Sequence, residues 1–246
     1  MTNWTERTLL LIGEEKHKKL ERAHVLVVGL GGVGAYAAEM ICRAGVGEMT
    51  IVDADTVQPS NRNRQLVALT STQGHLKAEI MAKRLQDINP HIKLHVIAKY
   101  LKDEDTDITL DSAHFDFVVD CIDTLAPKVN LIKKTLDRKI PLVSSMGAGA
   151  KTDPSKIEIK DISKSHHCPL AHMLRKRLSK LGIKKGFQVV FSSEPARPEA
   201  VILVENEQNK KSTVGTISYM PPIFGCCCAS VVLRGLIGED TIKKEE

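Results

Sequence analysis

Residues 23–44 read AHVLVVGLGGVGAYAAEMICRA, and their reading decides the fold. Residues 23–29 are a short apolar run, rich in β-branched side chains, that ends on Gly29. This is the pattern of a strand buried on both faces of a parallel sheet. Residues 31–44 carry the apolar spacing of a helix. Between them, Gly29-Leu30-Gly31-Gly32-Val33-Gly34 satisfies G-x-G-x-x-G. Glycines let the backbone turn sharply and approach a phosphate, and the helix that follows offers free N–H groups and a partial positive charge. Asp53 closes the next predicted strand, residues 48–53 (EMTIVD), at the distance where a carboxylate meets a ribose hydroxyl. The loop marks a nucleotide site but leaves the nucleotide open. Glycines used only for helix–strand packing are the ordinary alternative.

The pattern continues outward as strand and helix in alternation. A helix is predicted over residues 72–87, stopping before Pro90, which has no N–H to donate and restricts the residue before it. Strands follow at 93–100, 115–121 and 140–145, with a helix at 127–138. Repeated β-α-β units imply a mostly parallel sheet with helices on both faces, an α/β Rossmann-like fold. Beyond about Gly147 the pattern changes. Residues 156–161 (KIEIKD) alternate like a half-exposed strand. Residues 169–181 fit a helix with Leu170, Met173, Leu174, Leu178 and Leu181 on one face, Pro169 at its first position and Gly182 as its C-cap. Further strands are expected at 187–191 and 200–204, an apolar helix at 222–236, and a frayed polar tail at 242–246. The whole reads as one domain with a smaller C-terminal elaboration.

Composition narrows the classes. The 246 residues are 42% hydrophobic and 26% charged, which are globular proportions. Aromatics are only 4%, fewer than a β-sandwich or barrel would use. No apolar run approaches the roughly 18 residues of a membrane span, and the N-terminus lacks the flanks of an export signal. Six cysteines, three of them adjacent at 226–228, make a poor disulfide framework and fit a reducing, cytoplasmic setting. No C-x-x-C pair occurs, which excludes the usual structural zinc ribbon.

The residues after Asp53 argue against a dehydrogenase. Asp55, Asn61, Arg64 and Gln65 follow in DADTVQPSNRNRQ, then Lys77 in GHLKAEIMAKRL and Asp123 in VVDCIDT. A nicotinamide site needs an acid for the ribose but no train of cations beyond it. Arg64 and Lys77 near phosphates would offset charge on a triphosphate attacked at its α-phosphorus. Asp123 falls just beyond a strand's carboxyl end, where open α/β sheets bind ligands and where a carboxylate holds Mg²⁺ through water. Each has an ordinary reading taken singly: Lys77 as a solvated helix residue, Arg64 as a loop charge, Asp123 as a helix N-cap.

This set of motifs resembles the ubiquitin-activating-enzyme-like superfamily of ThiF, MoeB and relatives. The resemblance covers about residues 4–145. It implies a single ATP-binding adenylating domain over 1–246, with residues 1–146 as the nucleotide-binding half and 147–246 as a substrate or dimer elaboration. It further implies that Asp53 binds the ribose and that Asn61, Arg64 and Lys77 contact phosphates. Gly29, Gly31, Gly32, Gly34, Asp55 and Gln65 then belong to the same nucleotide site, and Asp123 serves the metal, Mg²⁺. Arg7 looks like the arginine that members lend across a homodimer to the partner's ATP. Three further stretches, IPLVSSMGAGAKTDPSKIEIKDIS, PLAHMLRKRL and VVFSSE, resemble the tRNA threonylcarbamoyladenosine dehydratase branch. That branch activates a carboxylate on a modified tRNA adenosine with ATP, and the side chain then closes on itself with loss of AMP. The alternative within the superfamily is an adenylyltransferase acting on the C-terminus of a ubiquitin-like sulfur-carrier protein, in a sulfur relay. That route would call on Cys168 in SHHCPL, where His166 and His167 precede the thiol. A helix-start cysteine without chemistry is the plainer reading. A nucleotide-binding scaffold without turnover is the reading from outside the enzymes.

Charge distribution agrees with an RNA substrate. Residues 162–193 contain Lys164, Arg175, Lys176, Arg177, Lys180, Lys184 and Lys185 and no acid. Those seven cations exceed the net charge of +5, so the remainder of the chain is slightly acidic. Arg175, Lys176, Arg177, Lys180, Lys184 and Lys185 are the expected RNA-binding set. A solvated helix face is the alternative.

Overall fold

Alternation along β1 (His24–Val28) sends Val25 and Val27 to one side of a sheet and Leu26 and Val28 to the other. All five residues of the strand are buried, as a central parallel strand requires. The computed structural model describes residues 4–207 and 210–239. Seven strands lie in the order β3 (Lys93–Ile97), β2 (Glu48–Val52), β1, β4 (Phe117–Asp120), β5 (Leu142–Ser145), β7 (Gln188–Ser192) and β6 (Ile157–Asp161). All neighbours pair in parallel except β6, which runs antiparallel on β7 at the sheet edge. The second half of the chain therefore extends the same sheet that the first half begins.

Helices cover both faces. On the side of Val25 and Val27 lie α3 (Gly34–Arg43), α4 (Lys77–Ile88) and the late apolar α8 (Met220–Leu236), contributing Ile41, Met81 and Phe224 to one core. On the other side lie α5 (Asp103–Asp111), α6 (Leu125–Asp137) and α7 (Pro169–Lys180), contributing Leu110, Leu131 and Leu174. Each such side chain withdrawn from water contributes roughly 1.5–3 kcal/mol. Two N-terminal helices, α1 (Glu6–Ile12) and α2 (Glu14–Arg22), precede the sheet, and a separate hairpin of β8 (Val201–Glu207) and β9 (Lys210–Val214) precedes α8.

Several boundaries differ from the sequence expectation. The helix expected from residue 72 begins at Lys77, because residues 70–72 form a 3-10 turn and Gly74 takes a left-handed φ of +83°. It ends at Ile88, before Pro90. The strand expected at 93–100 stops at Ile97. Helix α7 ends at Lys180 with Leu181 as its cap, and Gly182 stands one residue beyond at φ +80°. There the amides of Gly182 and Ile183 donate to the carbonyls of Ser179 and Leu178, a Schellman closure. Met173 and Leu181, expected on the buried face, are exposed. The tail at 242–246 lies outside the described residues. Among the described residues, no helix is long and apolar enough to cross a membrane.

Candidate active site

Chain order forces a divergence at the centre of the sheet. The connection from β1 leads to β2 on one side, while β4 joins β1 on the other. Crevices form at the carboxyl ends of strands at such a reversal. A cleft of about 620 Å³ opens there, floored by the glycine loop. It gathers Gly29, Gly31, Gly32, Asp53, Asp55, Asn61, Arg64, Gln65, Lys77 and Asp123. Gly29 and Asp123, 94 positions apart in the chain, thus face one space.

The loop's glycines have separate reasons. Gly34 opens α3 so close to the strand that a Cβ would stand 1.7 Å from the Gly29 carbonyl oxygen. It is a packing glycine and does not line the cleft, in contrast to the nucleotide contact expected of it. A Cβ on Gly31 would meet only the Gln65 side-chain nitrogen, at 3.7 Å, so this glycine leaves room in the cleft. Beside it, the Gln65 side-chain oxygen (Oε1) is buried without a hydrogen-bond partner.

Asp53 sits at the end of β2. One of its carboxylate oxygens accepts from the Leu30 amide at 2.6 Å and the other from the Asp55 amide at 2.8 Å. The bonds tie the glycine loop to the next strand, and lone pairs on a carboxylate that accepts only twice remain for a ligand. Burial pushes its carboxyl above the ordinary value, outweighing the Lys77 ammonium and the two amides, which favour the charged form. Lys77 is the first residue of α4, its side chain 6% exposed, and its ammonium lies 2.7 Å from Asp55. It is not a solvated helix residue. Arg64 is half-buried and donates to the Ser60 carbonyl at 2.9 Å and the Asn63 side chain at 2.8 Å. Asn61 accepts from the Gln58 amide at 3.0 Å, which shapes the turn before Arg64.

Asp123 is exposed at the cleft's mouth. The N-cap of α6 is Thr124, so the capping explanation does not apply to Asp123. Beneath it is a group that sequence reasoning missed. Lys128 and Asp120, neither with any solvent exposure, pair at 2.9 Å. Lys128 also donates to the Ile122 carbonyl at 2.9 Å, and Ser144 donates to Asp120 at 2.6 Å. This network fixes the turn that presents Asp123. Its only signal in the sequence is an acid at a strand end and a lysine eight residues later, too common a pairing to single out. Lys99 and Tyr100, also not singled out, line the same cleft.

Other expected residues lie elsewhere. Arg7 is exposed on α1 and does not line the cleft of its own chain. Cys168 is buried at the N-cap of α7, where its sulfur accepts from the Ala171 amide at 3.5 Å. It caps a helix rather than facing the cleft. Lys176, Arg177 and Lys180 are exposed on α7, with Lys184 and Lys185 exposed just beyond. Arg175 departs from this set: it is half-buried and donates to the Ser165 carbonyl at 2.6 Å and to the Ser165 hydroxyl, holding the turn before α7.

The ThiF family profile matches residues 5–246. The chain is 39% identical to the tRNA threonylcarbamoyladenosine dehydratase of Bacillus subtilis over 251 aligned positions, covering 99% of this chain and 98% of that one. Among solved structures, it is similar to the Escherichia coli tRNA N6-threonylcarbamoyladenosine dehydratase TcdA in complex with ATP. The TM-score is 0.86 at 34% identity, covering 96% of this chain and 94% of that one. The AMP complex of the same Escherichia coli protein matches with a TM-score of 0.85 at 34% identity, over 95% and 94% of the two chains.

Proposed function

The chain belongs to the ThiF family, and from that premise we propose that it is an ATP-dependent tRNA threonylcarbamoyladenosine dehydratase. It activates the carboxylate of the modified nucleoside by adenylation, and the side chain cyclises with loss of AMP. One observation carries the chemical half of this reading: Lys77, Arg64, Asp53 and Asp123 share the glycine-floored cleft.

The residues fit the groups this reaction needs. The open space at Gly31 and the unpartnered Gln65 oxygen suit a polar ligand lying on the loop. ATP supplies the adenylyl group and leaves pyrophosphate. Asp53 accepts from the ribose, and the first turn of α3 directs its amides at phosphate. Lys77 and Arg64 stabilise charge that grows on the phosphate oxygens during attack; because both are held before the reaction, little reorganisation is needed. Asp123 offers the oxygen donor that Mg²⁺ prefers, with room for the ion's waters. The exposed cations of α7 and its following loop attract the tRNA backbone. The domain acts as one unit over 1–246, residues 1–146 holding the nucleotide and 147–246 the substrate side. The enzyme works as a cytoplasmic homodimer in which Arg7 of α1 serves the partner's cleft. A sulfur-relay partner would act through surface contacts. The buried, capping position of Cys168 favours cyclisation within the substrate over a carrier-protein route through an enzyme thiol.

The test is mass spectrometry of nucleosides from tRNA bearing threonylcarbamoyladenosine, after incubation with the protein, ATP and Mg²⁺. ATP-dependent loss of one water is expected. An unchanged nucleoside, with pyrophosphate still exchanging into ATP, overturns the substrate assignment and leaves adenylation standing. Asp123→Ala abolishes the exchange if the metal role is right, and retained exchange removes that role.

A further inference from the structure

At the end of the sheet opposite the cleft, three strands bring two histidines and a carboxylate together. His24 opens β1 and is paired in register with Glu48, which opens β2, and His95 lies on β3 in register with Thr50. Side chains two apart share a face, so His24, Glu48, Thr50 and His95 all project to the same side. One ligand atom from each of His24, Glu48 and His95 lies within 4.8 Å of the other two. His95 Nε2 is 2.9 Å and His24 Nδ1 is 3.6 Å from the same Glu48 oxygen. Bonds of 2.0–2.2 Å in a tetrahedral zinc shell place neighbouring donors about 3.4 Å apart, between those two distances.

The surroundings are those of a ligand set. His24 Nε2 is 2.9 Å from the Thr50 hydroxyl oxygen, a partner that leaves Nδ1 facing Glu48 with its lone pair when Nε2 donates. The Phe115 ring packs on His24 with centroids 4.5 Å apart and walls off one side. His95 is exposed and Glu48 half-buried, so an ion has a path in from solvent. Two imidazoles and one carboxylate suit borderline transition metals and not Mg²⁺ or Ca²⁺.

We infer that His24, Glu48 and His95 form a binding site for a divalent transition metal ion of the Zn²⁺ type, completed by water, that clips β1, β2 and β3 together away from the nucleotide cleft. The site is independent of the adenylation chemistry.

Equilibrium dialysis against Zn²⁺ alone, on the full chain, tests it. The wild type should bind one equivalent that His95→Ala and Glu48→Gln each lose, with ATP–pyrophosphate exchange unchanged. Thr50→Val, which removes only the partner of His24, should weaken binding on the order of 10–100-fold. With Co²⁺, the spectrum should lack thiolate charge-transfer bands, which separates this site from the six cysteines. No binding by folded wild type overturns the inference. So does binding of unchanged strength in both ligand variants, or a thiolate spectrum.

Discussion

Lys128 and Asp120 meet at 2.9 Å with no solvent exposure on either side chain, directly below the turn that carries Asp123 into the cleft. An ion pair so placed is costly to form and costlier to break, because removing one partner strands the other's charge in the interior. Lys128→Met should therefore destabilise the fold by about 3–5 kcal/mol, read as a lower urea midpoint. Adding Asp120→Asn should recover part of the loss, and a double-mutant cycle measures the coupling. Losses that simply add in the double variant would mean that the pair does not act as a unit.

The glycine loop offers a paired test. Gly34→Ala puts a carbon into the Gly29 carbonyl and should impair folding itself. Gly31→Ala has only the Gln65 side chain nearby, at 3.7 Å, so the fold should survive while ATP affinity falls. Circular dichroism and nucleotide titration separate the two. Normal ATP binding by Gly31→Ala would show that the ligand does not lie on that part of the loop.

Lys77 acts on charge in two ways. Its removal to Met should lower pyrophosphate exchange by about 10²–10³-fold, the scale of losing one preorganised donor. It should also move the pH profile of ATP binding. The ionised Asp53 is the better ribose acceptor, so binding is full above the Asp53 pKa and lost as pH falls through it. That pKa is already raised by burial, and Lys77 is among the groups holding it down. Without Lys77 the acid limb shifts to higher pH. A limb that stays put would detach Asp53 from the nucleotide.

On α7, charge removal should separate the exposed cations from the structural one. Lys176→Ala and Lys180→Ala should each reduce the slope of log affinity for tRNA against log salt by about 0.7–0.9. Arg175→Lys should leave that slope nearly unchanged and lower stability instead, because its guanidinium is engaged with Ser165. Filter binding across a salt series reads the first effect and thermal unfolding the second.

The first half of the architecture was open to reading because apolar runs with β-branched residues have few other uses, and a glycine loop between two of them fixes their order. The cleft followed, since strand ends at a reversal converge whatever the loops contain. Helix α5 was not legible: DEDTDITLD is mostly polar, and it buries Thr106 and Thr109 beside Leu110, so no apolar stripe marks it. Lys128 escaped for the opposite reason, since a lysine reads as surface and its burial depends on a partner at the end of a strand, Asp120 of β4. Arg175 shows the limit of counting charge, because sequence gives its sign but not the turn it holds.

Helix α8 braces the oldest part of the nucleotide site. Its Gly225 leaves no space for a Cβ against the Val33 carbonyl, and a Cβ on Gly32 would stand 3.0 Å from Pro221. The loop is synthesised early and its brace near the end. A chain still on the ribosome thus carries the glycine loop without support, and the face of β4, β5 and β7 that α8 covers stays bare until residues 220–236 have emerged. Nucleotide capture is in this sense a late-acquired property, and the waiting apolar face is what a chaperone would meet first.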